Sequence, residues 1–213
     1  MKAVALAERI AKDFPHVTIE AKPCAWEDLP EAFELFGQSN VIVSTIGNWA
    51  AEGGLNAAHL AADGQPAIVY GWTEPHACAG HAVAIGPKGG CLQCGFDALG
   101  TPKLQVTQWT GGGRLRQEPA CGAVYQPYGP AELTYTVGLI AEMTLDCLLG
   151  EFHGASLHRV WAGDRRRLVA AGGDWTKAWA EAVPERVEGR FIHEHAWEAD
   201  ERCVECARRA AAA

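Results

Sequence analysis

The chain has 213 residues, enough for one well-buried core, and its 18 Lys and Arg against 26 Asp and Glu leave a formal charge of −8. That acidity argues against nucleic acid as a partner, because phosphate binding needs a basic face. Hydrophobic residues at 48% and charged residues at 21% exclude a disordered chain, and no run nears the ~20 apolar residues of a membrane span. Lys2, Glu8, Arg9 and Lys12 interrupt the first apolar residues, so no signal-peptide core is present and a cytoplasmic protein without membrane contact is expected.

In chain order, Ala3, Leu6, Ala7, Ile10 and Phe14 recur at helical spacing. They predict an amphipathic helix over residues 2–13, beginning at once, as though the domain were entered midway. Residues 16–21 alternate like a short strand. A second helix is expected from Trp26, capped by Asp28, with Pro30 in its first turn and its end near Gly37. Residues 41–44 read as a buried strand, 50–63 as a helix closed by Gly64, and 67–72 as the next strand. This order predicts a right-handed crossover and a parallel sheet. Beyond Pro75, residues 82–85 form a strand, and 101–119 a polar connection expected to be mobile, with Gly111, Gly112 and Gly113 in it. Residues 131–149 predict a long helix, apolar over most of its circumference and therefore buried, ending at Gly150. A hairpin of 156–161 and 167–171, a helix over 175–182 and a strand over 190–195 complete the chain. No internal repeat is visible.

Four of the eight cysteines fall in two Cys-x-x-Cys pairs, Cys91 with Cys94 and Cys203 with Cys206, separated by about half the chain. One such pair fits redox chemistry. Two pairs together supply the tetrahedral thiolate set of a structural zinc ion, with no open position for chemistry. The clamp requires the intervening chain to fold back on itself. A reducing compartment favours metal over disulfides. His193 and His195, two apart on a strand, share a face and offer substitute ligands. Cys121 stands apart, after the Gly-rich connection and ahead of the long helix, where an exposed thiol is a candidate nucleophile. Cys24, Cys78 and Cys147 read as small buried hydrophobes. Glu74 and His81, candidates for acid and base, read better as structural groups.

Several motifs in order resemble the ThiF, MoeB and HesA superfamily of ubiquitin-activating-enzyme-like adenylating domains, nearest to bacterial members serving ubiquitin-like conjugation. They are Lys2-Ala3, Phe14-Pro15, Val41 to Thr45, Gly47-Asn48-Trp49, Leu55-Asn56, Gly71 to Pro75, Ala79 to Val83, Cys91 to Cys94, Ala120-Cys121-Gly122, Pro127-Tyr128-Gly129 and Cys203 to Cys206. The resemblance covers the whole chain as a single domain. It implies an α/β fold with a Rossmann-like, mostly parallel sheet, helices on both faces and a zinc-clamped C-terminal half. It also implies adenylation of the C-terminal carboxylate of a ubiquitin-like protein by ATP and magnesium, followed by transfer to a cysteine as a thioester. A sulfur-carrier protein with a persulfide on Cys121 is the alternative partner. A non-catalytic, zinc-stabilised pseudo-subunit in a homo- or hetero-oligomer is a third reading. By the same resemblance Lys2 contacts ATP phosphate, Asn48 belongs to the ATP site, and Cys121 is the transfer cysteine. The family's glycine-rich loop precedes the lysine, so a truncated domain that holds little ATP by itself is expected. Gly47 stands where many members place a magnesium-organising Asp, and no neighbouring carboxylate takes its place.

Overall fold

The computed structural model describes residues 2–117, 124–183 and 191–212. The chain divides into two compact units, Met1–Gln38 and Ser39–Ala213. The first holds α1 (Lys2–Asp13) and α2 (Ala32–Gln38), with a short 3-10 turn at Trp26–Asp28. Asp28 sits inside that turn, and not at the start of a helix running on to Gly37, since α2 begins only at Ala32. Residues 16–21 form no strand; alternation of residue types alone does not hold an extended segment without a ladder of hydrogen bonds.

The second unit is built on β1 (Val41–Ser44), α3 (Trp49–Ala61), β2 (Ala67–Thr73), β3 (Ala79–Ile85), β4 (Thr107–Trp109), β5 (Arg116–Gln117) and β6 (Val124–Tyr125). It continues with α4 (Pro130–Leu149), β7 (Leu157–Ala162), α5 (Arg165–Ala170), β8 (Gly173–Trp175), α6 (Lys177–Ala182), β9 (Phe191–Ala196) and α7 (Val204–Ala212). The main sheet runs β1-β2-β3-β7-β9. The expected crossover is present, since β1 pairs β2 in parallel around α3. The mostly parallel sheet is not: β2–β3, β3–β7 and β7–β9 are all antiparallel. The cause is local. Only residues 74–78 join β2 to β3, far fewer than the dozen or more that a parallel crossover requires. The architecture is a mixed α/β unit with a mostly antiparallel five-stranded sheet.

The two faces of the sheet are sorted by the period of two along each strand. One face carries Val69, Ala82, Ala84 and Trp161, packed on Leu139 and Met143 of α4. A side chain at Gly71 would collide with Ile140, and one at Gly80 with Thr136, so these two glycines let α4 lie close to the strands. The long helix buries only this stripe; Val137, Leu145, Leu148 and Leu149 are exposed, against the expectation of an all-round buried helix. The other face gathers Ala79, Val160 and Ala162 around Val106 and the fully buried Trp179 of α6.

Residues 165–170 are helix, not the second strand of a hairpin: Asp164 accepts from the Arg166 N–H at 2.9 Å and starts a turn that outcompetes a β ladder. Within the 101–119 connection, β4 pairs with β8, so this part is ordered structure.

Candidate functional site

The two Cys-x-x-Cys pairs meet. Sγ of Cys91 lies 3.8 Å from Cys94 and 3.6 Å from Cys203, and Cys94 lies 3.4 Å from Cys206. All four sulfurs lie within 4.8 Å of one another, and three of the residues are buried. Sulfurs bound at ~2.3 Å around one tetrahedral ion stand about 3.8 Å apart, so the cluster fits a closed metal site.

The residues around the cluster fix both loops. Leu92 N–H donates to Oδ1 of buried Asn56 on α3 at 2.8 Å, and Trp197 Nε1 donates to the Cys91 carbonyl at 2.7 Å. Lys103 donates to the Cys94 carbonyl at 2.7 Å and pairs with Asp200. Cys203 directly precedes α7, whose N-terminal dipole favours thiolate. Cys94 is lowered to about 5, first by the hydrogen bond from Cys91, which is itself pushed up by the same bond and by burial. Burial pushes Cys206 up to about 11. Cys94 is thus the sulfur favoured as thiolate while Cys91 and Cys206 hold their protons, because sulfurs this close resist becoming thiolates together without a cation.

The metal loop also builds a cleft. Phe96, two residues past Cys94, stacks on Trp49 at 4.8 Å and leans on Trp72 at 5.2 Å. These rings line a cavity of about 600 Å³ beyond the carboxyl ends of β1 and β2, closed on one side by Thr136 and Ile140 of α4. A second cavity of about 680 Å³, walled by Glu74, Thr107 and Gln126, shares Trp72, Thr73 and Arg114 with the first. Arg114 is the one basic side chain among the described lining residues. The crevice past strand carboxyl ends is where open α/β sheets receive ligands.

Sequence reasoning finds no carboxylate in the turn after β1, but the fold supplies one. Glu52, in the first turn of α3, lines the cleft and accepts from Ser44 Oγ at 3.0 Å and from Gly47 N–H at 3.4 Å. Burial raises its pKa, outweighing those hydrogen bonds. A Ser44–Glu52 spacing across a loop and a helix start is invisible to short motifs. Asn48 caps α3, its side chain accepting from Ala51 N–H at 3.1 Å. Lys2 is the exposed first residue of α1, in the other unit. Cys121 lies outside the described residues; the strands flanking it in sequence, β5 and β6, pair antiparallel, and Arg114 and Gln126 on either side line the cleft. Cys24 is exposed, against expectation, whereas Cys78 and Cys147 are half-buried thiols pushed up to about 11, first by burial. Among the described residues no helix is long and apolar enough to cross a membrane. Compared with known proteins, the sequence matches no family model and no curated protein.

Proposed function

We propose that this chain takes part in activating a ubiquitin-like protein, whose C-terminal carboxylate is adenylated with ATP and magnesium and then passed to Cys121 as a thioester. The observation that supports this reading best is the double cleft past β1 and β2. It is long and mostly uncharged, as an extended C-terminal tail would need, and it is lined by Arg114 and Gln126 on either side of Cys121 in sequence. On this reading β1–α3–β2 is the parallel part of a Rossmann-like sheet, and zinc held by Cys91, Cys94, Cys203 and Cys206 keeps Phe96 in the cleft wall. Chemically, a carboxyl adenylate is the electrophile, the Cys121 thiolate attacks its carbonyl carbon, AMP leaves, and the thiol proton passes to solvent or a base. Arg114 would face the phosphate charge.

A second reading, a zinc-stabilised module that docks a partner without turnover, is favoured by the commitments of the polar groups. Asn48 is spent on capping α3 and Glu52 on the loop after β1, which leaves few groups free for a triphosphate. ATP–pyrophosphate exchange separates the readings. The chain is assayed alone and with a nucleotide-binding partner against a panel of ubiquitin-like and sulfur-carrier proteins. Exchange that needs both the partner chain and one such protein supports activation; absence of exchange in every combination, with binding retained, leaves the docking module.

A further inference from the structure

A file of polar side chains crosses the sheet face opposite α4. Glu74 Oε1 accepts from His81 Nε2 at 2.9 Å, His81 Nδ1 faces His158 Nε2 at 3.0 Å, and His158 Nδ1 faces His195 Nε2 at 3.2 Å. His81 and His158 are wholly buried, with Trp72 stacked flat on His81 at 4.7 Å and Trp197 edge-on to His158 at 5.0 Å. The file ends at His195 on the edge strand β9, a partly buried residue whose Nδ1 is itself shut off from solvent and has no hydrogen-bond partner among the described residues. At the other end Glu74 lines the cleft and also accepts the N–H groups of Val106 and Thr107 and the Thr107 hydroxyl.

Hydrogen-bond arithmetic fixes the polarity. Four donors converge on Glu74, so it is a carboxylate and His81 Nε2 must carry hydrogen. If all rings are neutral, His158 and His195 must each point an Nε2–H towards Glu74, leaving His195 Nδ1 as a bare, buried acceptor at the β9 end of the file. A proton arriving there can be handed on. It binds His195 Nδ1; the His195 Nε2 proton moves to His158 Nδ1; the His158 Nε2 proton moves to His81 Nδ1. The result is one imidazolium, on His81, against the carboxylate, with His158 and His195 neutral again but in the opposite tautomer. His81 is the favoured seat because it alone faces a carboxylate in the file.

We propose that Glu74, His81, His158 and His195 form a relay in which one proton taken up at the β9 end of the file is seated at the cleft wall. The titratable groups around it are Glu74 before β3, His158 on β7, His193 and Glu198 on and after β9; His193 stacks on His195 at 5.2 Å, and Trp179 of α6 packs edge-on to His193. Burial lowers the pKa of both His158 and His195, which agrees with their acting as conduits and not as seats. Because Glu74 also holds the backbone at Val106 and Thr107, proton uptake converts the tie between β2 and the cleft wall from a neutral-donor hydrogen bond into a buried ion pair. The inference does not depend on what occupies the cleft.

Ring-¹⁵N NMR of the full chain with labelled histidine tests it, since protonated and bare ring nitrogens resonate apart. The expected result is one transition of one proton shared by three rings: on its alkaline side His158 and His195 are Nε2–H, and on its acid side both are Nδ1–H while His81 carries two protons. In His81→Gln, whose amide keeps both hydrogen bonds without a titrating ring, the shared transition disappears and His158 stays Nε2–H. Independent midpoints for the three rings, a His158 tautomer that never changes, or a shared transition surviving in His81→Gln overturns the relay. If the variant does not fold, the titration of the unaltered chain decides by itself.

Discussion

Replacing Cys203 and Cys206 together by serine removes two of four ligands and opens the link between the metal loop and α7. The size of the effect follows from topology. Cys91 and Cys203 are 112 residues apart in sequence and in contact in space. A cross-link closing a loop of ~100 residues removes unfolded-chain entropy equivalent to about 4.7 kcal/mol. Whole domains are stable by only about 5–15 kcal/mol, so the substitution should remove a third or more of the total. At ~2–4 °C per kcal/mol for a chain of this size, the melting temperature should fall by on the order of 10–20 °C. The damage should also reach the cleft, because Phe96 follows the ligand loop and stacks on Trp49. The assay is elemental analysis with thermal unfolding on the same preparations: about one zinc per chain in the unaltered protein, little in the variant, and the drop in melting temperature. A chain that carries no zinc as purified, or a variant as stable as its parent, refutes the clamp.

Other expectations follow from single contacts. Asn48→Ala should cost about 1 kcal/mol in denaturant unfolding through loss of the α3 cap; an unchanged stability shows the cap to be idle. Gly80→Ala forces a methyl against Thr136 and should cost about 1–3 kcal/mol, measured in the same way, whereas a neutral result means α4 shifts freely. Burial lowers the pKa of His158 and His195, so the unfolded chain binds the extra protons: their contribution to stability is present above ~6.5 and is lost as pH falls from there towards the folded-state values. For buried His158 the slope is at most ~1.4 kcal/mol per pH unit. Urea midpoints at pH 7.5 and 5.5 should therefore differ, the lower pH being less stable; equal midpoints contradict it.

What the sequence revealed depended on the range of each signal. The ligand pairs were legible because a Cys-x-x-Cys turn is local, and their meeting was legible because four thiols in two such turns have a common chemical use. The crossover β1–α3–β2 was legible from a strand, helix and strand of ordinary length. The direction of the rest of the sheet was written in the short connection after β2: even with β3 taken to begin at Ala82 it is too short for a parallel crossover, and the structure shortens it further to residues 74–78. Glu52 and the histidine file were hidden for a different reason. Their partners come from separate strands and loops, and His81, His158 and His195 line up only after the registers of β3, β7 and β9 are set. Residues 165–170 misled because Arg167 to Ala171 looks strand-like until Asp164 is recognised as a cap.

The activation reading stands most directly on Cys121. The chain is combined with a nucleotide-binding partner, ATP, magnesium and the ubiquitin-like protein that supports exchange, then quenched and run on non-reducing gels with and without thiol, alongside Cys121→Ala. The account predicts a covalent adduct of the two chains that thiol removes and that the alanine variant does not form. An adduct of equal yield in Cys121→Ala, or no adduct when exchange is robust, would contradict it.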